Sequence, residues 1–382
     1  MINITKLWCG TAGSMDQLRY GAETHQKPVV VWNTTRRCNL RCVHCYSQSE
    51  NKLYPNELTT NEAKAFVADL AAFGVKVLLF SGGEPLLRQD LFEVARFASD
   101  RGLRPVLSTN GTLITEDVAG QLKNAGFSYI GISLDGIGET NDKFRGKKGA
   151  YELAVNGIRT CLKAEVKTGL RFTVTNYNLK DLPEIFSLIE TEGIPRVCLY
   201  HLAYVGRGTN ISNDDLTHNR KRELMDYLFS VAESFHQKNL NTEILTVDNH
   251  ADAAYLYLEL QKKDPKKAED ALRLLQINGG NSSGTGIACV DSAGYVHPDQ
   301  FWQHYSLDNI RNRKFSEIWS DNSEPLLHGL RNRKIHLYGR CAECRFLEIC
   351  NGNLRVRAEA VYGDIWASDP ACYLTYEETK LN

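Results

Sequence analysis

The sequence predicts an α/β protein in which an open, partial (β/α)6 TIM-like barrel precedes a cysteine-containing C-terminal unit. Three observations predict this fold. Six short β-rich runs alternate with amphipathic segments up to about residue 211, as repeated strand and crossover-helix units do. The alternation then stops, and charged helical stretches follow. Beyond residue 278 glycine, serine and asparagine become common, and a second group of cysteines lies near the C-terminus.

The predicted strands cover residues 29–32, 75–80, 105–108, 129–133, 169–175 and 197–202. Helices are predicted between them, for example at residues 61–73, where Thr59 and Glu62 form a capping box, and after Thr115. Each crossover returns right-handed to the same sheet, so the strands run parallel and their C-terminal ends share one edge. Catalytic groups are expected at that edge.

Four regions are predicted along the chain: a polar N-terminal segment (1–28), the barrel (29–211), a helical bridge (212–278) and an auxiliary domain (279–382). The bridge contains predicted helices at 221–236, 251–263 and 266–276. A predicted hairpin, residues 287–290 and 295–297, lies near the start of the auxiliary domain.

The charge balance excludes several classes of protein. Lys and Arg number 45 and Asp and Glu number 46, without a long basic block, so no nucleic-acid partner is expected. No apolar run approaches a membrane span and no export signal opens the chain, so we expect a cytoplasmic protein without a membrane partner. Eleven cysteines grouped in a long chain of this kind indicate metal or redox chemistry rather than disulfides.

The first cysteine group follows the first predicted strand. Cys38, Cys42 and Cys45 have the spacing C-x3-C-x2-C, and Tyr46 comes next. Three thiolates on one loop can hold an iron-sulfur cube and leave its fourth iron open to a small-molecule chelator. Zinc is the alternative, but a structural zinc site needs four ligands, and His44 is poorly spaced to be the fourth.

Glycine-containing and polar segments follow the next strands. Gly82 and Gly83 lack Cβ atoms, which allows close approach to the backbone, and Glu84 adds negative charge. Short polar side chains that can hold ribose hydroxyls end the third and fourth strands: Ser108, Asn110, Ser133 and Asp135. The alternatives are a tight turn for the glycines and helix caps for the polar residues.

The second cysteine group has the spacing C-x2-C-x5-C in Cys341, Cys344 and Cys350, with Cys372 as a distant fourth thiol. Four thiolates suit a fully ligated cluster without an open iron. Zinc remains the serious alternative, because tetrathiolate spacing does not separate the two. The other cysteines are two interpreted as buried hydrophobic residues, Cys161 and Cys198, and two without assignment, Cys9 and Cys289.

In their order along the chain, the motifs of the barrel resemble those of the radical S-adenosylmethionine (SAM) enzymes. The resemblance implies that the open iron chelates SAM and that an electron from the cluster cleaves it, which gives a 5′-deoxyadenosyl radical. It also implies that Arg171 pairs with the SAM carboxylate, for which an ordinary ion pair is the alternative. The SAM contacts implied are Tyr46, Gly82, Gly83, Glu84, Ser108, Asn110, Ser133, Asp135 and Arg171.

The second cysteine group resembles the auxiliary-cluster extension called SPASM or twitch. Two departures stand out: Leu354 occupies the place of a further cysteine, and Asp299 stands where one is expected after Cys289. The resemblance therefore implies one auxiliary cluster rather than two. The expected cofactors are SAM and two 4Fe-4S clusters, held by Cys38, Cys42 and Cys45 and by Cys341, Cys344, Cys350 and Cys372.

Segments spread over nearly the whole chain resemble the radical SAM enzymes that modify tetrapyrroles. They include residues 31–38, 135–136, 144–145, 201–208, 246–252, 296–302 and 369–374. The resemblance implies that two acetate side chains are removed from 12,18-didecarboxysiroheme, giving iron-coproporphyrin III in the alternative heme pathway. The expected partners are this tetrapyrrole and an electron donor protein or another reductant.

A tetrapyrrole is an apolar plate edged with carboxylates, so its pocket needs aromatic faces and guanidinium groups. The candidates are Tyr204, Arg207, Phe301, Trp302, Arg355 and Arg357, each of which has an alternative as a core or surface residue. Candidate iron ligands or acid-base groups are His201, His250, His297 and His304. No catalytic residue is assigned.

Three other functions stay open: a heme d1 biosynthesis enzyme acting on propionate side chains, a radical SAM peptide maturase, and a non-catalytic iron-sulfur or zinc protein. Peptide maturases commonly carry a leader-binding domain before the first strand, whereas 28 residues precede Val29 here. A non-catalytic protein leaves the ordered motifs after the second, third and fourth strands unexplained.

Overall fold

An eleven-stranded sheet organises the part of the chain that the structure, a computed structural model, describes: residues 1–11 and 27–380. Its strands are β1 (Ile2–Asn3), β2 (Val29–Thr35), β3 (Val77–Gly82), β4 (Arg104–Thr109), β5 (Tyr129–Ser133), β6 (Thr168–Val174), β7 (Arg196–His201), β8 (Glu243–Val247), β9 (Ile287–Val290), β10 (Tyr295–His297) and β11 (Asp308–Asn309). Their spatial order is β1-β8-β7-β6-β5-β4-β3-β2-β9-β10-β11.

The α-helices of the described residues lie between these strands and after them. They are α1 (Ile4–Cys9), α2 (Thr60–Phe73), α3 (Leu91–Ser99), α4 (Glu116–Asn124), α5 (Glu139–Arg145), α6 (Ala150–Lys163), α7 (Leu182–Glu192), α8 (His218–Gln237), α9 (Ala251–Lys263), α10 (Pro265–Asn278), α11 (Phe315–Ser320), α12 (Pro325–Arg331), α13 (Leu347–Cys350), α14 (Arg355–Tyr362) and α15 (Tyr376–Thr379). No helix of these residues is long and apolar enough to cross a membrane.

The six predicted barrel strands are confirmed as β2 to β7, which pair in parallel in chain order. Most of their apolar side chains are buried, as expected for a parallel sheet that helices cover. The predicted capping box of α2 is confirmed: the Thr59 amide donates to Glu62 Oε2 at 2.8 Å, and the Glu62 amide donates to Thr59 Oγ1 at 3.3 Å. Thr115 caps α4 without a capping box, since its Oγ1 accepts from the Val118 amide at 3.3 Å.

The prediction that strand alternation stops at residue 212 is wrong. Strand β8 lies inside the predicted helical bridge and pairs in parallel with β7, so the barrel has a seventh parallel strand. The three helices predicted for this region are confirmed as α8, α9 and α10. A strand of five residues between two long charged helices is too short to show a clear period of its own.

The N-terminal segment contributes to the core rather than forming a polar lead-in. Strand β1 pairs antiparallel with β8, and Ile2, Ile4 and Leu7 are buried. The Trp8 ring stacks on the Phe229 ring with centroids 3.9 Å apart. Residues 12–26 of the predicted N-terminal segment lie outside the described residues.

The C-terminal unit is joined to the barrel through the sheet itself. The predicted hairpin is confirmed as β9 and β10, which turn through Gly294 at a φ of 90°. Strand β9 pairs in parallel with β2, the strand that precedes the first cysteine group. The C-terminal unit is therefore held beside the carboxyl edge of the barrel, where the predicted site lies.

Candidate active site

Polar side chains at the carboxyl ends of the parallel strands enclose a cavity of about 170 Å³, called the inner cavity below. Cys38, Cys42 and Cys45 line it, and Gln300 and Phe301 of the C-terminal unit lie in its wall. Seven of the nine predicted SAM contacts also line it: Tyr46, Gly82, Gly83, Ser108, Asn110, Ser133 and Arg171. Residues far apart in the sequence thus meet at the edge where catalytic groups were expected.

The first cysteine loop, residues 38–46, is fixed by hydrogen bonds from outside the loop. The Cys38 amide donates to the Glu50 carbonyl at 3.0 Å. Arg207 donates from Nε to the Cys42 carbonyl at 2.7 Å and from Nη1 to the Ser49 carbonyl at 3.1 Å. Arg207 was a candidate for binding substrate carboxylates, but its guanidinium positions the thiol loop.

Two thiols of this loop, those of Cys38 and Cys42, are buried near one arginine, and Cys45 is partly exposed. Burial raises the pKa of Cys38 to about 12. Burial also raises the pKa of Cys42, whereas the positive charge of Arg145 acts to lower it. Arg145 Nη1 lies 3.7 Å from Cys42 Sγ, and the same guanidinium pairs with Asp135. Because thiols bind metals as thiolates, Arg145 favours the form that an iron cluster needs.

The two glycines at the end of β3, Gly82 and Gly83, allow the chain to contact the residues just before the cysteine loop. The Gly83 amide donates to the Thr35 carbonyl at 2.7 Å. A Cβ at Gly82 would lie 2.4 Å from the Thr35 carbonyl oxygen, and one at Gly83 would lie 2.2 Å from that of Arg37. Glycine is therefore required here by a backbone contact, and not only to admit a ligand.

Glu84 and Asp135, the other two predicted SAM contacts, are fully buried and lie outside the lining of the inner cavity. Glu84 accepts hydrogen bonds from Thr109 Oγ1 at 2.7 Å and from the Asn110 amide at 2.8 Å. Asp135 accepts from the Thr173 amide at 2.5 Å. Burial raises the pKa of both carboxyls. In these contacts they support cavity-lining residues.

Asn110, predicted to hold a ribose hydroxyl, also shapes the cysteine loop. Its Nδ2 donates to Asn39 Oδ1 at 2.8 Å and lies 3.9 Å from Cys38 Sγ. Its Oδ1 accepts from the Thr112 amide at 2.9 Å. The polar segment after β4 therefore connects the cavity wall to the first thiol.

Two charged side chains of opposite sign face the inner cavity. Arg171 on β6 stacks on the Tyr200 ring, 4.5 Å from its centroid. Asp248 follows β8, and burial raises its pKa to about 6 although Arg357 and Arg171 act to lower it. The sequence analysis did not predict Asp248 as a site residue because it did not predict β8. The feature that could have indicated it is its position directly after the last residue of that strand.

The second group of thiols also comes together. Burial raises the pKa of Cys350, and the other three thiols, Cys372, Cys341 and Cys344, raise it further through their charges. Arg340 fixes the distant member by donating to the Cys372 carbonyl at 3.1 Å. Four thiols brought together in this way match the ligand number of a fully ligated iron-sulfur cube.

The residues that replace expected cysteines have other roles. Leu354 is buried in the apolar cluster around Trp302. Asp299 accepts hydrogen bonds from Ser283 Oγ and, at 2.8 Å, from the Phe301 amide. Cys289 is buried, and its Sγ lies 3.6 Å from Asn33 Nδ2. Burial is the main cause that raises its pKa, and the charges of Asp291 and Asp299 raise it further.

A larger cleft of about 620 Å³, called the outer cleft below, adjoins the inner cavity and shares Tyr46, Gly82 and Phe301 with it. The Tyr46 and Phe301 rings meet edge to face with centroids 5.7 Å apart, and Tyr46 Oη donates to Asn33 Oδ1 at 2.9 Å. Other lining residues are Arg36, Gln48, Tyr204, His304, Val356 and Glu359. The cleft thus combines aromatic faces with charged groups.

Three of the predicted tetrapyrrole contacts are structural. Arg355 and Arg357 are fully buried, and Arg355 Nη1 donates to the carbonyls of Ile365 at 2.9 Å and Ala367 at 2.6 Å. Trp302 is 1% exposed. Tyr204 and Phe301 do line the outer cleft. Sequence reasoning missed Arg36, an exposed guanidinium of this cleft whose signal was its position directly after β2.

The four candidate histidines have different environments. His201 is buried and its Nε2 lies 2.9 Å from Asp252 Oδ2. His297 is buried with Nδ1 2.7 Å from the Tyr305 carbonyl. His250 is buried, and burial lowers its pKa to about 3. His304 lines the outer cleft, where its side chain is 52% exposed.

Comparisons with known proteins give the class that this fold and site define. Residues 32–189 match the sequence profile of the Radical SAM superfamily, and residues 282–345 match SPASM, an iron-sulfur cluster-binding domain. The crystal structure of Streptococcus suis SuiB bound to S-adenosylmethionine has the same fold, with a TM-score of 0.72 at 18% identity over 91% of this chain and 77% of that one.

Two curated relatives narrow the family. The chain is 53% identical to Fe-coproporphyrin III synthase of Methanosarcina barkeri over 99% of this chain and 98% of that protein. It is 45% identical to pre-heme d1 synthase of Dinoroseobacter shibae, over 92% and 88% respectively. The chain belongs to the radical SAM family that includes these two synthases. It is a radical SAM enzyme whose barrel binds a 4Fe-4S cluster and SAM. Its C-terminal domain is a SPASM domain, which binds additional iron-sulfur clusters.

We propose that Cys38, Cys42 and Cys45 hold the SAM-cleaving cluster, because they line the inner cavity and leave one iron without a protein ligand. Replacing all three with Ala should abolish 5′-deoxyadenosine formation and leave the iron of the second site in place. The Cys161→Ala variant, which changes a buried thiol outside both groups, serves as the control. Undiminished SAM cleavage in the triple variant would rule the assignment out.

We propose that Cys341, Cys344, Cys350 and Cys372 hold one further 4Fe-4S cluster. The anaerobically purified protein should then contain about eight irons per chain, the sum of two four-iron cubes. Metal analysis by mass spectrometry measures this directly. Stoichiometric zinc with only four irons contradicts the assignment, and twelve irons would show that Cys289 takes part in a third cluster.

The raised pKa of Asp248 predicts opposite effects of one substitution on stability and on SAM binding. Burial raises the pKa of its carboxyl to about 6, from an ordinary value of 3.8, so stability falls as pH rises between these values and the deficit is complete above pH 6. Asp248→Asn should raise the free energy of unfolding at pH 7.5 by about 3 kcal/mol at most, and should raise the thermal midpoint with it. It should weaken binding of cationic SAM by roughly tenfold or more.

Thermal scans at pH 7.5 and pH 5 and calorimetric titration with SAM check both effects. The stability difference between Asp248→Asn and wild type should shrink at pH 5. A variant that is less stable at pH 7.5, or that binds SAM as tightly as wild type, would contradict the role given to Asp248.

Proposed function

We propose that the protein removes the two acetate side chains of 12,18-didecarboxysiroheme and so yields iron-coproporphyrin III. The observation that carries the proposal is a cleft of about 620 Å³ that shares a wall with the inner cavity. The volume lies in the range of pockets for organic ligands and cofactors. The 53% identity to Fe-coproporphyrin III synthase over nearly the full chain supports the choice of tetrapyrrole.

The chemistry of the outer cleft fits a plate edged with carboxylates. Tyr204, Phe301 and Val356 offer apolar faces, and the exposed Arg36 offers a guanidinium at the rim. Arg36 Nε donates to the Ser47 carbonyl at 3.1 Å, which orients its guanidinium beside the cleft. In the proposal Arg36 takes the carboxylate-anchoring role that the sequence suggested for Arg207.

The wall between the two cavities determines where the reaction occurs. When bound, SAM and the open cluster supply a 5′-deoxyadenosyl radical for hydrogen abstraction. Arg171 and Asp248 line the inner cavity and would pair with the carboxylate and the ammonium of SAM. Tyr46 and Phe301 line both cavities and would lie between SAM and the substrate. Each departing acetate shares a saturated ring carbon with a methyl group, so its loss extends conjugation and favours the cleavage.

The proposal includes an electron donor protein or another reductant and a cytoplasmic location. Within the described residues no disulfide joins any of the eleven cysteines, as in proteins of a reducing compartment.

Incubation of the reconstituted protein with SAM, reductant and 12,18-didecarboxysiroheme tests the function. We expect two acetates released per tetrapyrrole and a porphyrin absorption spectrum, both measurable in one reaction by mass spectrometry and optical spectroscopy. Cys372→Ala should still form 5′-deoxyadenosine but stop before product, whereas Cys9→Ala, which changes a thiol outside both groups, should behave as wild type.

The same assay separates the alternatives. Removal or oxidation of propionate side chains would favour the alternative of a heme d1 biosynthesis enzyme, and modification of a peptide would favour a maturase. An untouched didecarboxysiroheme would contradict the proposed function while leaving the radical SAM class intact.

A further inference from the structure

One histidine of the outer cleft has a carboxylate partner that lines the same cleft. His304 is the histidine that lines this cleft among the described residues, whereas His44 and His201 line the inner cavity. His304 Nε2 lies 2.9 Å from Glu359 Oε2, and Glu359 lines the same cleft. Histidines that ligate metals almost always donate their other ring N–H to a carboxylate or a carbonyl.

The hydrogen bond selects which ring nitrogen is free. An ionised carboxylate only accepts, so in the neutral ring the proton is on Nε2, and the lone pair is on Nδ1. The ring is also held from the side, because it stacks on Trp302 with centroids 5.7 Å apart. Trp302 is buried in the apolar cluster that contains Phe301 and Val356, which themselves line the cleft.

The carboxylate is on a rigid element. Glu359 belongs to α14, whose Val356 and Arg357 are buried, so its side chain starts from a fixed backbone. The other candidate histidines do not meet these conditions. His250 and His297 are buried outside both cavities, and His201 directs Nε2 at Asp252 within the inner cavity.

We propose that His304 is an axial ligand of the iron carried by the tetrapyrrole substrate, through Nδ1, and that Glu359 positions its ring. The proposal rests on the proposed function, because it needs an iron tetrapyrrole in the outer cleft. The substrate iron, rather than its carboxylates alone, then fixes the plate in the cleft beside Tyr46 and Phe301.

Binding of two probes tests the ligand without turnover. Iron(III) coproporphyrin III and metal-free coproporphyrin III are titrated into the cluster-containing protein, and their dissociation constants are compared. In wild type the iron probe should bind at least tenfold more tightly, in line with the 10- to 100-fold effects seen when metal-site residues are lost. The ratio should fall towards one in His304→Ala and lie between in Glu359→Gln.

A spectroscopic signal identifies the ligand. Pulsed EPR of the bound ferric probe should show coupling to a nitrogen outside the porphyrin, which changes when the protein carries ¹⁵N-labelled histidine. The coupling should be absent in His304→Ala, return when imidazole is added, and persist in Glu359→Gln. His236→Ala, which changes an exposed histidine at the end of α8, should leave both the coupling and the affinity ratio unchanged.

The outcomes separate this inference from the function. Wild-type protein that binds neither porphyrin would overturn the proposed function and the inference together. If acetate release is found but the histidine coupling is missing, or if it persists in His304→Ala, the inference alone is overturned. Iron content and SAM cleavage of His304→Ala should match wild type, which shows that the variant is folded.

Discussion

The site depends on the contact between the end of β3 and the chain just before the first thiol. The amides of Gly83 and Glu84 donate to the carbonyls of Thr35 and Arg37 at 2.7 and 2.8 Å, which leaves no room for a Cβ at Gly83. Glu84 then accepts from the backbone amide of Asn110, which directly follows β4, and the Asn110 side chain donates to Asn39 in the cysteine loop. Three strand ends are thereby fixed as one unit around the cavity.

Charge balance at this edge follows from the same packing. Two thiols and two carboxyls are buried within one region, and burial raises the pKa of Cys38, Cys42, Glu84 and Asp135. Buried charges of one sign need partners of the other. Arg145 meets this need by contacting both Cys42 and Asp135. The arginine is therefore part of the cluster site although it ligates nothing.

Local patterns were predictable from the sequence, and features assembled from distant segments were not. The capping box of α2, the strands β2 to β7 and the two thiol spacings each lie within a short segment, so the sequence carries them directly. Strand β8 was missed, and Asp248 with it. Arg355 and Arg357 were predicted as substrate contacts because arginine binds carboxylates. In the structure both side chains are fully buried, so they stabilise the fold instead. Burial depends on the whole fold.

Asp299, which stands where a cysteine was expected, also helps to fix the shape of the outer cleft. The Asp299 carboxylate accepts hydrogen bonds from the Ser283 hydroxyl and from the Phe301 amide. These bonds fix the backbone that carries Phe301, whose ring meets Tyr46 between the inner cavity and the outer cleft. The same turn continues to His304. The Asp299 carboxylate therefore helps to shape the wall between the inner cavity and the outer cleft. In this position the residue has a structural role that does not require it to ligate a cluster.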